Sequence, residues 1–304
     1  MRADKAWPGA RKITTVVSGG LGNQLFQFAA GKASQLLGGG SLDLDVSWYF
    51  KAQKATPRQY YLGAFPGLQI LRQHKVRLTQ FLVKKYYTWA RRVAGYPVLE
   101  VRNCIYQFDK RIFDPRFRRV FLSGVWQNIQ YLDSAGVGIF DNLKKMESKA
   151  QFDKQLLQQI HNNESVSVHV RRGDYVSGQL FQCRPEYYEG AIKFLEKKIG
   201  KKPKAFFFSD EPEKLGDLVR RIPGSRVIGS KESSGVLDDF FLMRECRHHI
   251  IANSTFSWWA AWLADRSVAG KSQEKYVVAP SRWFCGVESS RINIYPNHWK
   301  VLPT

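Results

Sequence analysis

The sequence predicts an α/β fold with a doubly wound parallel sheet in its second half, and three observations carry that prediction. Apolar runs of strand length alternate with helical patterns between residues 165 and 280, as expected of strands covered on both faces. The first 50 residues begin with the same strand, loop, helix, strand order. Polar residues and glycines gather where the apolar runs stop, the edge at which open parallel sheets bind ligands.

In chain order, "KITTVVS" reads as a strand, "GGLGNQ" as a loop and "LFQFAAGKASQLL" as a helix closed by Gly38 to Gly40. "SLDLDV" reads as the next strand. Residues 71–99 carry seven Lys or Arg and no acid, while Leu78, Phe81, Leu82, Tyr86, Trp89 and Val93 share one helical stripe. The plain expectation is a helix with that stripe in the core and a solvated basic back. The alternative is a patch for a membrane surface or an anionic acceptor. The polar stretch "KKMESKAQFDKQ" marks a boundary near residue 150, giving domains 1–150 and 151–304. Then come the strand "SVSVHV", helix "RPEYYEGAIKFLEKKI", strand "KAFFFSD", and a helix in "EPEKLGDLVRRI" opened by Asp210 with Pro212 near its first turn. "SRVIGS", "VLDDFFLMREC", "HHIIAN", "TFSWWAAWLA" and "KYVVAP" continue the alternation.

Composition narrows the class. The 304 residues hold enough apolar side chains, at 44%, for a core in each domain, and the formal net charge of +21 points to anionic partners. Cys104, Cys183, Cys246 and Cys285 make no C-x-x-C pair, which suggests neither a zinc knuckle nor a disulfide framework and favours a reducing compartment. The start "MRADKAWPGARK" lacks the apolar centre of a signal peptide, and no run reaches membrane-span length. Of two glycosylation sequons, Asn253-Ser254-Thr255 falls where the active site is expected, where a glycan would block function. A cytoplasmic protein is the expectation, with peripheral contact at the inner membrane face as an extension.

The strand ends carry the chemistry. Arg171, Arg172 and Asp174 follow "SVSVHV", Ser209 and Asp210 end "KAFFFSD", Asn253, Ser254 and Thr255 follow "HHII", and Gly20, Gly22, Asn23 and Gln24 lie after the first strand. Arginine offers planar, permanent donors that match phosphate oxygens, and a helix N-terminus beginning with small hydroxyl residues adds N–H groups and a positive dipole end. Together they describe a phosphate site. "GGLGNQ" fits neither the P-loop nor the G-x-G-x-x-G pattern, and on its own reads as a tight turn. Asp174 has a plain reading as the ion-pair partner of Arg172. Trp258, Trp259 and Trp262, interleaved with alanines, read as core. Asp43 and Asp45 share a strand face, and a structural or donor-edge role suits them better than a metal. His248 and His249 read as strand residues, since no third ligand stands at zinc spacing.

Together "GGLGNQLFQFAAGKA", "HVRRGDY", "FFFSDEPE" and "DDFFLMRECRHHIIANSTFSWWAAWL" resemble the glycosyltransferase family of bacterial and animal α-1,2-fucosyltransferases, in the same order from about residue 13 to 264. The resemblance implies a GT-B-like fold of two Rossmann-like domains, with residues 1–150 on the acceptor side and 151–304 binding GDP-fucose. It also implies a β-galactoside acceptor, inversion at the anomeric carbon and no required metal. On this resemblance Arg171 holds the β-phosphate, His169 lies at the donor, and Asn23 sits near the donor phosphate within the Gly20, Gly22, Gln24 loop. Ser254, Thr255 and Phe256 supply phosphate and nucleotide contacts beside Asn253 and Arg172, and Asp210 serves guanine or ribose. Asp174 is the candidate base that takes the proton of the attacking hydroxyl. Glu186 is the alternative, because more distant fucosyltransferases place a glutamate soon after the same motif where this chain has Gln179.

Three other functions compete with this one. Nucleic-acid binding suits +21 but gives no reason for polar residues to gather at strand ends, so no nucleic-acid partner is expected. A dinucleotide oxidoreductase would need the glycine fingerprint that "GGLGNQ" breaks. Another nucleotide-sugar transferase is the nearest competitor, because phosphate recognition does not name the sugar.

Overall fold

The computed structural model describes residues 10–50, 57–68, 72–74, 77–103, 107–145, 153–172, 182–229, 233, 235–267, 274–284, 287–288 and 292–304. For 72, 74, 77–81, 287 and 288 it gives only the backbone. The chain divides into two compact units, residues 1–145 and 146–304.

In the first unit, β1 (Lys12–Val16) leads into α1 (Leu21–Gly38), β2 (Ser41–Asp45), β3 (Arg72–His74), α2 (Arg77–Ala94), β4 (Val98–Asn103), β5 (Arg119–Gly124) and α3 (Gln130–Leu143). The strands form one parallel sheet in the order β3-β2-β1-β5-β4. Helix α1 is buried around most of its circumference, because it lies between β1 and α3. Gly31 sets that approach, since a Cβ there would run into the Thr15 hydroxyl and Leu42. Arg11 ties down the far end of the helix: its buried guanidinium donates to the carbonyls of Ser34, Gly39, Ile112 and Phe117 at 2.7–3.1 Å.

The second unit contains α4 (Lys154–His161), β6 (Ser165–Val170), α5 (Pro185–Ile199), β7 (Lys204–Ser209), α6 (Gly216–Arg221) and β8 (Arg226–Val227). It continues through α7 (Val236–Glu245), β9 (His248–Ile250), α8 (Thr255–Ser267), β10 (Val277–Pro280), a β11 (Arg282–Phe284) and β12 (Val287–Glu288) ribbon, and β13 (Lys300–Leu302). The sheet runs β13-β10-β9-β6-β7-β8, every pairing parallel. This is the doubly wound order expected: the chain moves outward from β6 to β8, then returns to the other side of β6. Val166, Val168, Phe207 and Ile250 pack with Tyr187, Ala191 and Leu195 of α5 to make the core. Trp258, Trp259 and Trp262 are buried, as their alanine-rich setting predicted.

Two expectations change. The helix expected over 211–222 is a short 3₁₀ turn, Pro212–Lys214, followed by the six-residue α6, consistent with the Gly216 break in its middle. The α2 stripe is not in the core: Leu82, Tyr86, Trp89 and Val93 face solvent, while Ala90 is buried and Tyr87 is half-buried against Tyr96. Leu78 and Phe81 have side chains outside the described residues.

Candidate functional site

Strand order locates the crevices. In the second unit the winding reverses between β6 and β9, and in the first between β1 and β5. At such a switch point adjacent loops diverge to opposite sides and leave a cleft beyond the strand carboxyl ends. Arg171 and the Asn253–Phe256 turn flank the first crevice. Asn23 and the 124–128 turn flank the second.

In the second unit, β6 delivers Arg171 and Arg172 at its end, and the neighbouring β7 delivers Asp210 and Glu211. Arg171 Nη1 lies 3.3 Å from Asp210 Oδ2, the Arg172 backbone N–H donates to Asp210 Oδ1 at 2.9 Å, and Arg172 Nε is 3.7 Å from Glu211 Oε2. The fork is therefore braced by the next strand. Asp210 holds the arginines. Asp174 lies outside the described residues, as does Gln179. Glu186 stands on the open face of α5, 4.0 Å from Arg221, with most of its side chain in solvent.

His169 is buried two residues before Arg171 on β6, its Nδ1 2.9 Å from Ser257 Oγ. Ser257 Oγ also lies 3.2 Å from the Ser254 carbonyl, so the hydroxyl bridges the imidazole and the backbone before α8. Burial, reinforced by the Arg171 charge, pushes the imidazole down to about 3. At neutral pH it is an uncharged polar group and a poor proton acceptor. Phe256 packs 5.7 Å from its ring and 5.4 Å from Phe240 of α7, centroid to centroid.

Helix α8 starts at Thr255, with Ser254 half outside the helix and its carbonyl accepting from Trp258 N–H at 3.0 Å. Asn253 is buried, donating to the Trp283 carbonyl at 3.2 Å and accepting from Cys183 Sγ at 3.9 Å. It shapes the turn that aims the helix.

Sequence reasoning missed Asp239. Helix α7 returns to β9, so its first turn, which holds Asp239, lies at the same strand edge as Arg171. Burial and the neighbouring Asp238 charge raise this carboxyl, against a lowering hydrogen bond from Ser233, to about 6. A carboxyl poised there can exchange protons near neutrality. The only signal in the sequence was two acids opening an apolar helix.

At the first unit's switch point, Gly20, Asn23 and Gln127 carry no ionisable side chain. Gly19 has φ +77°, and a Cβ on Gly20 would meet nothing within 4 Å, so the loop leaves open space above its backbone. Gly22 lies buried in the first turn of α1. Gln24 is fully buried and its amide is spent inside the protein: Nε2 donates to the Gly19 and Gln59 carbonyls, and Oε1 accepts from Tyr61 N–H. Gln24 thereby builds the loop. Asn23 Oδ1 accepts from Gln127 Nε2 at 3.1 Å across the switch point. Neighbouring Trp126 has φ +58°, an unusual conformation for so bulky a residue. Neither Gln127 nor Trp126 was legible in the sequence. Asp43 pairs with Lys12 of β1 at 2.8 Å and Asp45 accepts from Ser47 N–H at 3.0 Å, both structural uses. Among the described residues no group of three His, Cys, Asp or Glu could hold a metal. Also among them, no helix is long and apolar enough to cross a membrane.

The profile of glycosyl transferase family 11 matches residues 102–273, more than half of the chain. The Escherichia coli O-antigen biosynthesis glycosyltransferase WbnK is 28% identical, covering 91% of this chain and 97% of its own. An Escherichia coli α-1,2-colitosyltransferase is also 28% identical, covering 94% and 97%. A crystal structure of fucosyltransferase NodZ from Bradyrhizobium overlays with a TM-score of 0.44 at 15% identity, covering 84% and 94%.

Proposed function

Because the chain belongs to glycosyl transferase family 11, we propose that it transfers L-fucose from GDP-fucose to the 2-hydroxyl of a terminal β-galactoside, with inversion, to form an α-1,2 linkage. One observation carries the reading: the Arg171 and Arg172 fork, braced by Asp210 and Glu211, stands at the switch point beside the start of α8. On this reading the attacking oxygen bonds to the anomeric carbon as the bond to the β-phosphate breaks, and GDP leaves with growing negative charge. Fixed guanidinium charge and helix-end N–H groups stabilise that charge without reorganising, the role a divalent cation would otherwise fill. Neutral His169 adds polarity without competing for the proton. A carboxylate takes the hydroxyl proton: Asp174 is the candidate from the sequence, and Asp239 is the candidate that the geometry adds. Residues 151–304 bind the donor and residues 1–150 face the acceptor. The protein works in the cytoplasm.

The test is mass spectrometry of protein incubated with GDP-fucose and lactose, with and without EDTA. The expected result is a product heavier by one deoxyhexose in both tubes. Product that disappears with EDTA would remove the metal-free step, and intact GDP-fucose in both tubes would count against the donor. The colitosyltransferase relative favours a second reading in which the donor is GDP-colitose, which lacks one hydroxyl of fucose. Competition between the two donors decides: a site that hydrogen-bonds the extra hydroxyl discriminates strongly against the sugar without it.

A further inference from the structure

Helix α2 presents an apolar face that the rest of its unit leaves uncovered. Leu82, Tyr86, Trp89 and Val93 are 54%, 58%, 57% and 66% exposed. At about 100° per residue they fall within an arc of roughly 60°. An adjoining flank of the helix holds it to the unit: Ala90 is buried, and Tyr87 packs on Tyr96 at 5.4 Å and under the Arg119 guanidinium at 4.7 Å. The stripe is therefore turned outward by the docking of the helix. Of the eleven large apolar side chains exposed among the described residues, five lie on α2. Singly scattered apolar residues need no explanation, but a cluster does.

Charge identifies the occupant. Lys85 and Arg92, seven residues apart and both exposed, border the stripe on one side; Arg91 lies farther round the helix, beside Lys84, which pairs with Glu100 of β4. No acid occurs in the helix, and the chain as a whole carries +21. A second copy of so basic a surface would repel this face. Trp and Tyr at the level of lipid headgroups, aliphatic residues beside them and long cationic side chains at the margin match an interfacial helix on an anionic bilayer. We propose that α2 seats the protein on an anionic membrane surface, with Leu82, Tyr86, Trp89 and Val93 entering the headgroup boundary and Lys85 and Arg92 pairing with lipid phosphates. The inference stands on this helix alone and does not depend on which sugar is transferred.

The experiment is co-sedimentation of the full chain with vesicles of one part phosphatidylglycerol to three parts phosphatidylethanolamine, and with pure phosphatidylcholine, at moderate salt. Three proteins are compared: the parent, Tyr86→Ser/Trp89→Ser, and Lys85→Gln/Arg92→Gln. The parent should pellet with the anionic vesicles only, and each double variant should bind at least about tenfold more weakly, given the contribution of each cationic residue near such a surface. Both variants should keep the parent's melting temperature and its turnover of soluble substrates, because they alter only exposed side chains. Equal pelleting of parent and variants would overturn the proposal. So would a parent that sediments as a dimer while Tyr86→Ser/Trp89→Ser is monomeric, since a second copy would then cover the stripe. Tighter binding to duplex DNA than to vesicles, lost in Lys85→Gln/Arg92→Gln, would reassign the surface to nucleic acid. Loss of turnover in the parent would count against the transferase reading and leave the vesicle result standing.

Discussion

The two switch points are built alike and charged differently. In the first unit the cleft beyond β1 and β5 is lined by Gly20, Asn23 and Gln127, with no ionised group among them. In the second, the cleft beyond β6 and β9 carries two arginines braced by two acids, beside a helix start. The same topology yields both clefts, so topology provides a cleft and the strand-end residues decide what enters it. Permanent charge is concentrated where a departing phosphate would need it.

The largest expected effect tests that contrast. Arg171→Ala should lower kcat by roughly 10²–10³, about 3–4 kcal/mol of transition-state stabilisation, as for removal of a fixed donor to a developing anion. Arg171→Lys should recover only part of it, because an ammonium cannot reproduce the planar fork. Steady-state kinetics at unchanged melting temperature are the check, and near-normal turnover in Arg171→Ala would break the comparison. Asp210→Asn should cost about tenfold, because Asp210 acts through the arginines; an effect confined to the donor KM would instead place it on the nucleotide.

Asp239 gives the next largest effect, read as stability. Its carboxyl titrates near 6 in the folded chain and near 3.9 unfolded. Between these values the folded state holds more protons, so the ionised group weakens the fold as pH rises through this window, by about 3 kcal/mol once fully ionised. Asp239→Asn should therefore be more stable than the parent at pH 7.5, with the gain vanishing near pH 4, as urea titrations at both values would reveal. Turnover should fall in the same variant, and the acid limb of the pH profile near 6 should disappear. His169 acts with the opposite sign: its depressed value means that acid favours the unfolded chain below about pH 6.5, in parent and variant alike. A variant that is less stable at neutral pH would show that Asp239 is a structural acid.

How much of this was legible depends on whether the cause is local. Strands such as "SVSVHV" and "KAFFFS" were readable because burial on both faces forces a continuous apolar run, and Arg171 and Arg172 were placed correctly because a strand end is a sequence position. The partners of those arginines were not readable: Asp210 and Glu211 reach them across the β6 and β7 pairing, which only register supplies. The α2 stripe was readable as a stripe but not as a surface. Core-facing and interface-facing helices share one periodicity, and what turned this one outward was the docking of Tyr87 and Ala90, side chains that look unremarkable in sequence. Asp239 was missed because its value comes from burial between elements.

The smallest effect discriminates most finely, because it asks what the Asn23 and Gln127 pair is for. Gln127 Nε2 donates to Asn23 Oδ1, which turns the amide so that its other end is a donor, the polarity that suits a phosphate oxygen. Gln127→Ala removes that orientation at a stability cost of about 1 kcal/mol, the worth of one buried hydrogen bond. If Asn23 serves donor binding, the KM for GDP-fucose should rise severalfold while the acceptor KM and the turnover at saturation hold. A rise confined to the acceptor KM would instead give the whole first edge to the glycan and leave the arginine fork and α8 to hold the nucleotide without it. Either way the variant separates two roles that an identical loop could play, because binding to one substrate and not the other is what distinguishes them.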